Sequence, residues 1–171
     1  MRGQLFSFDF IFAVSLLVFI FAMALYTSDS VAASINAQEG ERELKIAADN
    51  AISQLLETPG NPSNWDYLAF TDSNVKSVGI AAGRNALNRE KMERLMEIMN
   101  SDSENYHLMK RILALDLPAS NFSISIYNQS QFKLYEAGVA QTKTGTVVSV
   151  QRLALLDDQP VMVNLRLWVE K

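Results

Sequence analysis

The chain has 171 residues, no cysteine, and 15 basic against 19 acidic side chains, a formal net charge of −4. The lack of cysteine excludes disulfides, thiolate metal sites and cysteine nucleophiles. The acidic balance gives no electrostatic footprint for nucleic acid, so the partners expected are proteins and the membrane, with no cofactor.

From Phe10 to Tyr26 the sequence is apolar and uncharged, and Asp9 stands directly before it. As a helix rising ~1.5 Å per residue the run covers about 26 Å, and Leu5 to Phe8 lengthen it toward the ~30 Å of the hydrocarbon layer. A transmembrane helix is therefore expected over residues 4–27. Before it the charges are the amino terminus, Arg2 and Asp9; after it Asp29, Glu39 and Glu41 precede the first basic residue, Arg42. The positive-inside rule puts the amino terminus in the cytoplasm and residues 28–171 outside. A cleaved secretory signal competes, because Ala22-Met23-Ala24 has the small-x-small form of a cleavage site. That site lies inside the apolar run, and Asp9 interrupts what should be a basic leader, which favours a retained anchor.

Beyond the membrane Leu44, Ala48, Ala51, Ile52 and Leu55 recur at i, i+4, i+7, i+8 and i+11, with charged residues on the other faces. One helix from Phe10 to Glu57 is expected, about 70 Å long. The breakers Thr58-Pro59-Gly60-Asn61-Pro62-Ser63-Asn64 end it, and Trp65 and Tyr67 are placed to pin this loop to the core. Val78 to Ala82 reads as a short strand. Asn88 or Asn85 caps a helix carrying Met92, Leu95, Met96 and Met99, and Ser101 or Ser103 caps a second carrying Leu108, Ile112 and Leu113.

From Asn121 the apolar period becomes two: Phe122, Ile124 and Ile126, and later Val161, Val163, Leu165, Leu167 and Val169, alternate with mostly polar residues. With Gln131–Glu136 and Thr146–Leu156 between them and Asp157-Asp158-Gln159-Pro160 as the last turn, this predicts a four-stranded antiparallel meander covered by the long helix. The fold class is α+β.

The order Arg2-Gly3-Gln4-Leu5-Phe6-Ser7-Phe8-Asp9-Phe10 before an apolar helix resembles archaeal proteins of the type IV pilin class with a class III signal peptide. The resemblance implies a leader of residues 1–3, cleavage by a membrane-embedded prepilin-type peptidase between Gly3 and Gln4, and a mature helix packed against like subunits in a filament core. It also implies that Asp9 faces the amino terminus of the adjacent subunit. In the family, serine follows the glutamine by two and an acidic residue by four. Here Ser7 follows Gln4 by three and Asp9 by five, which leaves open an inserted residue, a cut after Gln4, or a divergent relative. The bland reading of Asp9 is a carboxylate marking the headgroup boundary.

Other motifs weigh less. Ser73-Asn74-Val75-Lys76 and Lys143-Thr144-Gly145 match the S-x-x-K and K-T-G elements of serine β-lactamases and penicillin-binding proteins, but S-D-N is missing. His107 is the sole histidine, with no second imidazole or thiol for zinc. Glu39, Glu41, Glu43 and Asp49 read as a solvated acidic face. Asn121-Phe122-Ser123 and Asn128-Gln129-Ser130 fit the N-glycosylation pattern. The expectation is a non-enzymatic pilin-like subunit of a surface filament, with a non-polymerising signal-anchored envelope protein as the alternative.

Overall fold

The structure, a computed structural model, describes residues 3–71, 73–141 and 145–170, with the backbone alone for 3–7, 29–30 and 32–37. It divides into two units, Met1–Gly40 and Glu41–Lys171. Helix α1, Gly3–Glu57, supplies the described residues of the first unit and opens the second. It begins earlier than the expected Phe10 and ends at the expected Glu57, where Thr58 and Pro59 interrupt the helical pattern.

In the first unit Phe8–Ser28 is a 21-residue stretch of mean hydropathy 2.5, none of it buried. At ~1.5 Å per residue it is about 31 Å long, enough to cross a membrane. Thr27 near its end returns its hydroxyl to the carbonyls of Met23 and Ala24, both at 3.0 Å, which satisfies a polar group within the helix itself.

In the second unit Leu44, Ala48, Ala51, Ile52 and Leu55 are buried, the face the spacing predicts. The C-terminal carbonyls of α1 find partners in the chain that returns past them: Ile80 N donates to Leu55 O at 2.7 Å, and Ala81 N to Thr58 O at 3.1 Å. The connector between is pinned by Trp65, which is fully buried and donates Nε1–H to Gly79 O at 2.9 Å. Gly60 adopts φ +86°, and a Cβ there would lie 2.4 Å from the Trp65 ring. Tyr67, expected to share this duty, is 75% exposed and instead donates to Glu90. Lys91, buried, holds the same loop by donating to the carbonyls of Pro59 and Ser63.

Strands β1 (Ala81–Gly83) and β2 (Ala86–Leu87) form a small hairpin slightly after the expected Val78–Ala82. Helix α2, Arg89–Ser101, is capped by Asn88, whose side chain accepts from Lys91 N. Helix α3, Ser103–Ile112, is capped by Asp102 rather than by either neighbouring serine. A carboxylate at that position also complements the positive end of the helix dipole. Then come β3 (Ser120–Asn128), β4 (Lys133–Gly138), β5 (Gly145–Leu156) and β6 (Gln159–Glu170).

The class is α+β, but the four-stranded antiparallel meander is not what forms. The sheet is mixed and has six strands in the order β1-β2-β5-β6-β3-β4, with β2 parallel to β5. Strands β5 and β6 form a hairpin through Asp157 and Asp158, both at positive φ (49° and 61°), the two-residue geometry that matches strand twist. Strand β6 pairs on its other side with β3, which pairs with β4, so the passage from β4 to β5 crosses the sheet. The even-numbered residues of β3 and β5 and the odd-numbered residues of β6 meet the buried faces of α1, α2 and α3 in one apolar cluster.

Candidate functional site

The cleavage residues named by the resemblance, Gly3 and Gln4, open α1, and their side chains lie outside the described ones. Asp9 is the second residue of the Phe8–Ser28 stretch and is exposed. Among the described residues no hydrogen bond or ion pair reaches it. Around it the helix exposes Phe8, Phe10, Ile11 and Phe12, the last at 77%. Each Leu, Ile, Val or Phe left in water forgoes about 1.5–3 kcal/mol, so over the whole stretch the exposed surface represents on the order of tens of kcal/mol. Such a surface belongs in lipid or against other helices. A membrane anchor and a signal sequence both have this form.

A carboxylate at this position is the one costly group in the stretch. On insertion scales it costs ~2.5–3.5 kcal/mol near the bilayer centre and less at the edge. A cation brought alongside by another chain would offset that cost and gain a charge-assisted hydrogen bond.

The remaining motif residues are scattered over the second unit. Asn121 lies in β3 between β6 and the α2–α3 end of the fold, where Phe122 and Ser123 are both buried. Asn128 ends β3, and its Oδ1 accepts from Phe132 N at 2.9 Å, closing the β3–β4 turn beside exposed Ser130. The two sequons thus differ: one is woven into the sheet, the other sits at a surface turn.

Ser73 is in an exposed turn, its hydroxyl 3.1 Å from that of Thr71. The second element of that motif pair is split, because Gly145 opens β5 while Lys143 and Thr144 lie outside the described residues. His107 is exposed on α3, edge-on to Tyr106 with ring centroids 5.8 Å apart. Asp49 accepts from Arg152 at 2.7 Å, tying α1 to β5, while Glu39, Glu41 and Glu43 are exposed. Among the described residues no group of three His, Cys, Asp or Glu side chains could hold a metal ion.

Shallow clefts indent the second unit. One of about 380 Å³ lies at the end of the β5–β6 hairpin, where Arg89 Nε donates to Asp157 at 2.7 Å. This carboxylate, by its hydrogen bond and charge, raises the Arg89 guanidinium above its ordinary value. Two more, of about 360 and 500 Å³, flank His107 and Asn121. The larger contains Lys110, buried and already donating to Ser120 O at 2.6 Å with Asp116 at 3.6 Å. The cations lining the clefts are thus tied to the fold. Nothing in the sequence pattern marks Lys91 and Lys110 as buried clamps, since each sits on a helix among ordinary surface charges. No family model matches the chain, and no curated protein matches its sequence.

Proposed function

We propose that this protein is a pilin-like structural subunit of a type IV pilus-like surface filament, held in the membrane by the first part of α1 before assembly, with the second unit outside the cell. The observation that carries the reading is the exposed apolar stretch Phe8–Ser28 with one carboxylate, Asp9, at its start. A plain anchor gains nothing from a carboxylate there, whereas a helix that docks beside another chain's amine does. The Arg2-Gly3-Gln4 start supports processing by a prepilin-type peptidase. The continuation of α1 into the core of an α+β head agrees with a subunit whose helix joins two roles.

The shifted spacing of Ser7 and Asp9 favours a second reading, a signal-anchored exported envelope protein that does not polymerise. Amino-terminal sequencing of protein isolated from its own cells separates these. The filament reading expects Gln4 as the first residue; Met1 would replace it with the plain anchor, and Leu25 or later with a secreted, cleaved protein.

A further inference from the structure

Two sites in the second unit have the Asn-x-Ser spacing, and the fold treats them differently. Asn121 pairs with Trp168 across β3 and β6, and its Ser123 is 8% exposed between Gly138 of β4 and Arg166 of β6. A transferase reaches that hydroxyl only by opening the sheet. Asn128 is the last residue of β3, and Gln129, Ser130, Gln131 and Phe132 beyond it are all exposed.

The turn after Asn128 presents its amide. Asn128 N donates to Phe132 O at 3.0 Å, Gln131 N donates to Asn128 O at 3.0 Å, and Phe132 N donates to Asn128 Oδ1 at 2.9 Å. The last bond occupies the carbonyl end of the side chain, and among the described residues no partner takes up Nδ2. Asn128, Gln129 and Ser130 all line the shallow cleft of about 380 Å³, beside Gln159 and Pro160, so amide and hydroxyl open onto the same space. Gln131 holds φ +59°, a left-handed conformation that is costly for a residue with a side chain. The turn therefore gives way more easily than the strands it joins, and its sequon can be drawn into an enzyme's site without unmaking the sheet.

We infer that Asn128 is an N-glycosylation acceptor and Asn121 is not. The donor is a saccharide carried on a lipid phosphate. Asn128 Nδ2 forms a bond to the anomeric carbon as the bond from that carbon to the phosphate oxygen breaks. The lipid phosphate leaves with the electron pair, and one amide proton passes to a base of the transferase. The inference rests on the second unit lying outside the cell and requires no filament.

Protein isolated from its own cells is digested with trypsin, and the 112–133 peptide, which contains both sequons, is sequenced by electron-transfer dissociation. Saccharide mass should be found on Asn128 and not on Asn121. Ser130→Ala leaves the Asn128 side-chain bond in place and should lower the modified fraction about tenfold or more, Ser130→Thr should retain it, and Asn121→Gln should change it by less than about twofold. Bare Asn128, saccharide on Asn121, or modification that survives Ser130→Ala would overturn the inference. The absence of cysteine lets a separate arm check the compartment: Glu97→Cys, exposed on α2, is treated on intact cells with a membrane-impermeant maleimide. Labelling with bare Asn128 removes the glycan alone and leaves the exported reading standing; no labelling with bare Asn128 removes both.

Discussion

Tyr106 shows how one side chain replaces a missing strand. Beyond Gly138 strand β4 keeps only the bond from Val139 N to Phe122 O at 3.3 Å, and the Tyr106 hydroxyl fills the rest of its place, accepting from Phe122 N at 2.8 Å and donating to Phe122 O at 3.1 Å. The ring stacks on Phe122 with centroids 5.2 Å apart. Burial raises the phenol above its ordinary value, against a smaller lowering by its hydrogen bond with the Phe122 backbone. The folded state thus favours the protonated phenol. That contribution is complete below about pH 10, where an unfolded tyrosine titrates, and is lost as the pH climbs through the higher folded value. Tyr106→Phe should cost about 1–3 kcal/mol at pH 7, since it strands the Phe122 N–H, and should flatten the alkaline decline. Denaturant melts of the full chain in detergent between pH 7 and 11.5 check both, and an unchanged alkaline limb would remove Tyr106 from the account. Leu165 is a simpler case, fully buried between Ile124 and Val150 on the core face. Leu165→Ala should lose about 2–5 kcal/mol in the same melts, and a loss under ~0.5 kcal/mol would mean that the face is not core.

At the scale of elements, the second half of α1, α2, α3 and the strands β3 and β6 were readable because each displays a period, 3.6 or 2, whereas the first half of α1 was readable from its continuous apolar run and β4 and β5 only as the segments lying between the two alternating strands. Most boundaries fell within a few residues, but α1 begins at Gly3, seven residues before the expected Phe10. Strands β1 and β2 were not readable as they stand, since three and two residues cannot show a period, and β2 owes its place to Leu155 N donating to Asn85 O and to its parallel pairing with β5. Strand order was hidden too. Alternation tells which residues of β6 face the core, but Val163 and Leu165 carry no mark of pairing with β3 on one side and β5 on the other. The outer edge of β4 depends on a single side chain: Asn100 of α2 donates to Glu136 O at 3.3 Å and accepts from Gly138 N at 3.2 Å, filling the place of a further strand. Asn100→Leu should therefore leave that edge open to pairing with other chains. The expected outcome is faster light-scattering growth on incubation at constant temperature with little loss of stability; growth no faster than wild type would show that α2 protects the edge by packing alone.

At the scale of the whole molecule, the candidate site was legible only as far as hydropathy and charge order carry. Phe8–Ser28 announces itself by composition, and Asp9 by being the one charge at its start. The roles proposed for Gly3 and Asp9 involve other chains, which a single sequence does not contain, and so they are separated best by contrast. A bulky residue in place of Gly3 should obstruct a prepilin-type peptidase that needs a small side chain before the cut, leaving uncleaved precursor in the membrane. Asp9→Ala removes a charge from the bilayer edge, so it should insert and be processed at least as well as wild type. It should nonetheless fail to enter filaments, because the neighbouring amine loses its charged partner. Precursor and mature forms are resolved by mass spectrometry of the membrane fraction, and assembly by shearing cells and weighing the sheared filament fraction. Precursor accumulation with the Gly3 variant, together with mature but unassembled Asp9→Ala, supports the filament reading. If both variants match wild type and none of the three yields a sheared fraction, the chain is a plain membrane-anchored protein and Asp9 marks no more than the headgroup boundary.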